Sequence, residues 1–259
     1  MDPQEIAAIN RGIERYNPNH IQELADYLEE QISKNIYDKD ACLAILKLMQ
    51  LSLEKDSVEE AHLYLYQDHN KPLEEIEKEF KSAWEVYQQV VFKVLIKGMM
   101  QMPRPDFCMM KSMIDVEYQK NEELIGWAIL LHGLLDCCQF EKFWKEIAAV
   151  PERISNFVGF HESIRTYVCY AVTKTFQNVP TNLVKRWLGL NSGSAEDNKE
   201  FEEWVAKNKW QVQDDQIFCS NLDDRVKSKK ITESLSMNTP GMQDVLANGV
   251  TKRGLKSGK

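Results

Sequence analysis

Six cysteines and five histidines give this 259-residue sequence its widest choice of chemistry, and their spacing decides what that chemistry could be. The densest grouping is His132 with Cys137-Cys138. Structural zinc takes four ligands, mostly in short-spaced pairs. This histidine stands five and six residues from the thiols in an otherwise apolar run, so buried thiols and a satisfied histidine are expected there. A cysteine nucleophile needs an activating histidine within a cleft, and no spacing here singles out such a pair. The loop Asn191-Ser192-Gly193-Ser194 lacks the glycine and lysine pattern that cradles phosphates, and it reads as a connector. Asp214-Asp215 could form a metal or acid/base pair; between two β-prone runs a solvated turn is the better reading, since Asp favours turns. Phe201, Trp204 and Trp210 would stack nucleobases in a nucleic-acid module. Their neighbours Glu200, Glu202 and Glu203 repel phosphate, which favours core packing. Lys227, Lys229, Lys230, Lys252 and Arg253, with Lys256 and Lys259, could make weak, salt-sensitive contacts to RNA or remain solvated. No cofactor, metal or small-molecule substrate is implied by any of these patterns.

The charge is uneven along the chain. A net of −8 divides into +6 over residues 225–259 and −14 over residues 1–224. An acidic body repels phosphate backbones, so nucleic-acid binding is not expected to be its main work. The apolar content is ordinary at 43%, and Gly and Pro are few, which favours an α-rich globular protein. The cysteines fall mostly inside apolar helical patterns without CxxC spacing, and the sequence opens on Met1-Asp2-Pro3-Gln4, which has no signal-peptide character. These features point to a reduced, intracellular chain. The most apolar run, Leu124 to Leu135, is too short for a membrane span of about 20 residues.

The elements follow from period and punctuation. Ile6, Ile9, Ile13 and Tyr16 share one face of a helix opened by Pro3, and Asn17-Pro18 starts a second helix carrying Ile21, Leu24, Leu28 and Ile32. Asp38 or Asp40 caps a third, Ala41 to about Leu53. Ser57 to Tyr66 begins with a capping-box pattern. Pro72 to about Met102 is the longest helical stretch; its charged first half is expected to project or bend, and its second half is apolar. Asp106 is placed to cap Phe107 to about Gln119, and helices follow at Glu122 to Cys137 and Gln139 to Val150. Short loops between paired helices suggest stacked helical hairpins, solenoid or HEAT-like, over residues 1–156.

From Phe157 the pattern changes. Gly159 to Phe176 carries one apolar stripe, Val179-Pro180 stops it, and helices are expected at Thr181 to Leu188 and Glu196 to Lys207. Period two then takes over in Trp210-Gln211-Val212 and Gln216-Ile217-Phe218-Cys219, a hairpin around Gln213-Asp214-Asp215. Three helices and a hairpin give a winged helix over residues 157–236, with a disordered basic tail over residues 237–259. The wing's strand edge near Ile217 and Phe218 could bind another polypeptide through its backbone. Trp210, Ile217 and Phe218, with Ile231 and Leu235 beyond, are therefore the candidate protein-interface residues.

Several runs make the chain resemble subunit K of eukaryotic translation initiation factor three: Arg15-Tyr16-Asn17-Pro18, YDKDACLAILKLMQL at 37–51, MPRPDFCMMKSMID at 102–115, LLDCCQFEKFW at 134–144, GFHESIRTYVCYAV at 159–172 and NKWQVQDDQIFCS at 208–220. The segment of about 53–79 and the long tail depart from that pattern. The resemblance implies a cytoplasmic, non-catalytic scaffold subunit that pairs with subunit L and helps the factor engage the small ribosomal subunit. Scaffold subunits of the proteasome lid or the signalosome share the architecture. A winged-helix nucleic-acid regulator is disfavoured by the acidic helix Glu196 to Lys207.

Overall fold

The computed structural model describes residues 3–9, 17, 19–52, 73–190 and 193–219. The basic tail, Ile231, Leu235 and the helix expected over 57–66 lie outside the described residues, as does the boundary expected at 236.

The fold is mainly helical. In chain order the helices are α1 (Pro3–Ile9), α2 (His20–Ser33), α3 (Lys39–Ser52), α4 (Leu73–Met99), α5 (Asp106–Ser112), α6 (Val116–Asn121), α7 (Glu123–Asp136) and α8 (Phe140–Ala149). A 3-10 turn, Pro151–Arg153, leads to α9 (Phe160–Thr175). Strand β1 (Asn178–Pro180), helices α10 (Thr181–Trp187) and α11 (Ala195–Lys207), and strands β2 (Gln211–Gln213) and β3 (Gln216–Phe218) complete it.

Helix α4 organises the helical part. From Val90 to Met99 it is buried on nearly every side, and it packs against α2, α3, α5 and α7. Its 27 residues span about 40 Å. Helices α2 and α3 form an antiparallel pair whose connection is fixed by Asp38, which accepts a hydrogen bond from the Ala41 N–H at 3.0 Å. Such a cap contributes about 1 kcal/mol.

Asp106 does not cap a helix to Gln119 as expected. It is the buried first residue of α5, where Tyr37 donates its hydroxyl to one carboxylate oxygen at 2.9 Å and Lys39 lies 3.3 Å from the other. The helix ends at Ser112, and Asp115, which accepts from the Glu117 N–H at 2.8 Å, caps the start of α6. A local side-chain acceptor competes with helix continuation in this way.

The buried side chains form one cluster from Ile6 to Cys219, so the core continues from the helical part into the wing. Trp144 of α8 joins the two. Its indole N–H donates to the Trp187 carbonyl at 2.7 Å, and Arg165 and His161 of α9 flank its ring. Gly189, at φ +73°, presses against that ring.

Candidate protein-interaction surface

Helices α9, α10 and α11 with the sheet form the expected winged helix, and the sheet holds one strand more than the sequence reading gave. Helix α9 ends at Thr175, short of Val179-Pro180, and those two residues form part of β1, which pairs antiparallel with β3. The order is β1-β3-β2. Strand β3 is therefore central, flanked on both sides, and the open edge expected near Ile217 and Phe218 is occupied.

The ladder shows which backbone groups are left unpaired among the described residues. The Thr181 N–H bonds the Asp215 carbonyl at 2.9 Å and the Cys219 N–H bonds the Gln177 carbonyl at 2.8 Å. Bonded pairs alternate along an antiparallel ladder, so Ile217 directs its polar groups to β1, and Gln216 and Phe218 direct theirs to β2. Val212, opposite Ile217, then turns its N–H and C=O to the open side. The other edge is blunter, because Pro180 of β1 has no N–H to offer.

Side chains sort by face. Val179, Ile217 and Val212 form one row across the sheet, since residues directly opposite share a face. Val179 and Ile217 are 1% and 0% exposed, while Val212 is 53% exposed. The inward apolar row thus runs out from under the helices at the edge strand. Trp210 is buried as well, its indole N–H donating to Thr173 Oγ1 at 3.0 Å. Trp210 and Ile217 therefore belong to the core and cannot touch a partner directly. Phe218 is half-buried on the outward face. Lys227, Lys229, Lys230, Lys252 and Arg253 lie outside the described residues. The structure thus adds Val212 and β1 to the expected surface.

The other titratable clusters are structural. Lys97 of α4 is 1% exposed and donates to the Gln31 carbonyl at 3.2 Å; burial lowers its pKa. Burial raises the Cys42 thiol to about 12 and, with the Asp106 carboxylate, raises the Tyr37 hydroxyl. His132 stacks on Phe107 at 4.0 Å, and burial lowers its pKa. Cys42, Cys169 and Cys219 are buried, whereas Cys108, Cys137 and Cys138 are exposed, against the expectation that the thiols are mostly internal. Among the described residues no group of three or more His, Cys, Asp or Glu converges to hold a metal ion, and no helix is long and apolar enough to cross a membrane.

The model of the CSN8/PSMD8/EIF3K family matches residues 85–230, which span α4 from Glu85 through the wing. The chain belongs to this family. It is similar to proteins named eukaryotic translation initiation factor 3 subunit K. The Bombyx mori protein is 30% identical over 235 residues, covering 91% of each chain. That of Danio rerio is 29% identical over 235 residues, covering 90% of this chain and 91% of its own. That of Nematostella vectensis is 29% identical over 231 residues, covering 89% and 90%. The family match runs across both the α4-centred core and the winged helix.

Proposed function

We propose that the chain is a non-catalytic scaffold subunit of translation initiation factor three, and that it joins other subunits through its wing. Likeness to the subunit K proteins over nine-tenths of the chain supports the first part. The observation that carries the second is Val212: an exposed apolar side chain at the open edge of a sheet whose inward row is otherwise buried. A partner strand laid along β2 would satisfy the Val212 N–H and C=O and cover its side chain. Subunit L is the first partner to test, with engagement of the small ribosomal subunit following through the assembled factor. The helical residues 1–156 would present the larger surface and residues 157–236 the docking wing.

Co-expression with subunit L of the same source tests the pairing. Val212→Asp places a charge where apolar cover is needed, so it should weaken the complex at least tenfold while leaving the helical circular dichroism of the free chain unchanged. A complex of unaltered affinity would overturn the assignment of the edge.

A further inference from the structure

The outward face of the same sheet has a chemistry of its own. A cleft of about 430 Å³ is lined by Asn178, Gln213, Asp214, Asp215, Gln216 and Phe218. One aromatic ring therefore sits among three neutral amides and two carboxylates, and among the described residues the lining holds no cation. Among the described residues none of the five polar side chains makes a hydrogen bond or ion pair. The turn that carries the carboxylates is held in place, because the Asp215 carbonyl accepts from the Thr181 N–H and so ties the hairpin tip to the start of α10.

The geometry points to a binding site for an arginine side chain of an extended partner peptide. A guanidinium is planar, keeps its charge and presents five donors in a fixed fork. It can lie on the face of Phe218 while donating to the carboxylates and to the amide oxygens of Gln213, Gln216 and Asn178. Among the described residues an anion finds no positive group in this lining, and a purely apolar side chain would pair with none of the five polar groups. The site also adjoins the open edge. A strand laid along β2 turns alternate side chains to the outward face, beside Gln213, and an arginine there enters the cleft. This inference rests on the reading of the wing as the docking face and adds the chemistry of what docks.

The test uses the full chain and an acetylated, amidated hexapeptide of alternating threonine and arginine, with its citrulline counterpart, which keeps the shape and removes the charge. The arginine peptide should shift the amide resonances of Gln213 to Phe218. The citrulline peptide should bind at least about tenfold more weakly, the combined effect of a lost cation–π contact and lost ion pairs. Asp214→Asn with Asp215→Asn should weaken the arginine peptide to a similar degree; asparagine tolerates the left-handed backbone of residue 214, at φ +53°, so the turn is kept. Phe218→Leu should weaken it while leaving the fold intact. Equal binding of the citrulline peptide, or unaltered binding by the doubly substituted chain, would overturn the inference, as would a single-stranded oligouridylate that occupies the cleft in place of the peptide. Co-purification with Val212→Asp does not involve the peptide, so the arginine site and the docking edge fail separately.

Discussion

Three glycine-to-alanine substitutions separate backbone strain from packing at the point where the wing meets the helical part. Gly189 and Gly193 both have positive φ, +73° and +68°. An added Cβ costs about 1–2 kcal/mol in that region whatever surrounds it. At Gly193 nothing lies within 4 Å, so this is the whole cost. At Gly189 the new Cβ would stand 2.9 Å from Trp144 Cδ2 and 3.1 Å from two further ring atoms. The ring has little room to yield: its N–H is bound to the Trp187 carbonyl, and Arg165 and His161 flank its faces. Overpacking of this kind adds about 1–3 kcal/mol, for a total of about 2–5 kcal/mol. Gly133, inside α7 with nothing within 4 Å, reverses the sign. Alanine there should stabilise by about 0.5–1 kcal/mol through helix propensity and a less flexible unfolded chain. Urea unfolding at neutral pH, with unchanged m values, gives all three numbers. If Gly189→Ala costs no more than Gly193→Ala, Trp144 does not hold the wing in the way described.

The buried polar groups give further tests by the same assay. Lys97→Met removes a desolvated cation while the Gln31 carbonyl keeps its bond from the Ile36 N–H, so it should stabilise by about 1 kcal/mol. Asp106→Ala leaves the half-buried Tyr37 hydroxyl without its acceptor, while the partly exposed Lys39 turns to solvent, and should cost about 1–3 kcal/mol. Stability should also fall from pH 8 to 10. Burial raises the Cys42 and Cys169 thiols to about 12, so the unfolded chain loses these protons first, from about pH 9, and each thiol removes on the order of 1 kcal/mol by pH 10. Cys42→Ala with Cys169→Ala should flatten the decline. Lys97 acts in the opposite sense, because its lowered pKa relieves the cost of its charge as pH rises, so Lys97→Met should steepen the decline. An equally steep decline without the two thiols would contradict their assignment.

Period and punctuation made much of the fold legible. The apolar half of α4, the stripe of α9, Gly189 after α10, and the hairpin around Asp214-Asp215 all follow from spacing and turn chemistry. Strand β1 did not, because three residues ending in proline carry no period, and its pairing with β3 is set by tertiary contact alone. That omission misplaced the open edge by one strand and gave surface roles to Trp210 and Ile217. Asp106 misled for a related reason. An aspartate before an apolar run looks like a helix cap, but its partners, Tyr37 and Lys39, come from more than sixty residues away. The exposure of Val212 depends on where the helices stop covering the sheet, which no local pattern encodes.

We propose that this chain is one part of a larger assembly, held there by the edge at Val212. The most direct measurement is affinity purification of the tagged full chain from its native source, with quantitative mass spectrometry of initiation factor three subunits, for the natural sequence and for Val212→Pro. Proline at this position removes the outward N–H and leaves the β2–β3 ladder bonds in place. The subunits should co-purify with the natural chain and fall away from the proline variant, whose own yield and helicity should be unchanged. Full retention by the variant, or absence of the subunits from the natural chain, would contradict the proposal.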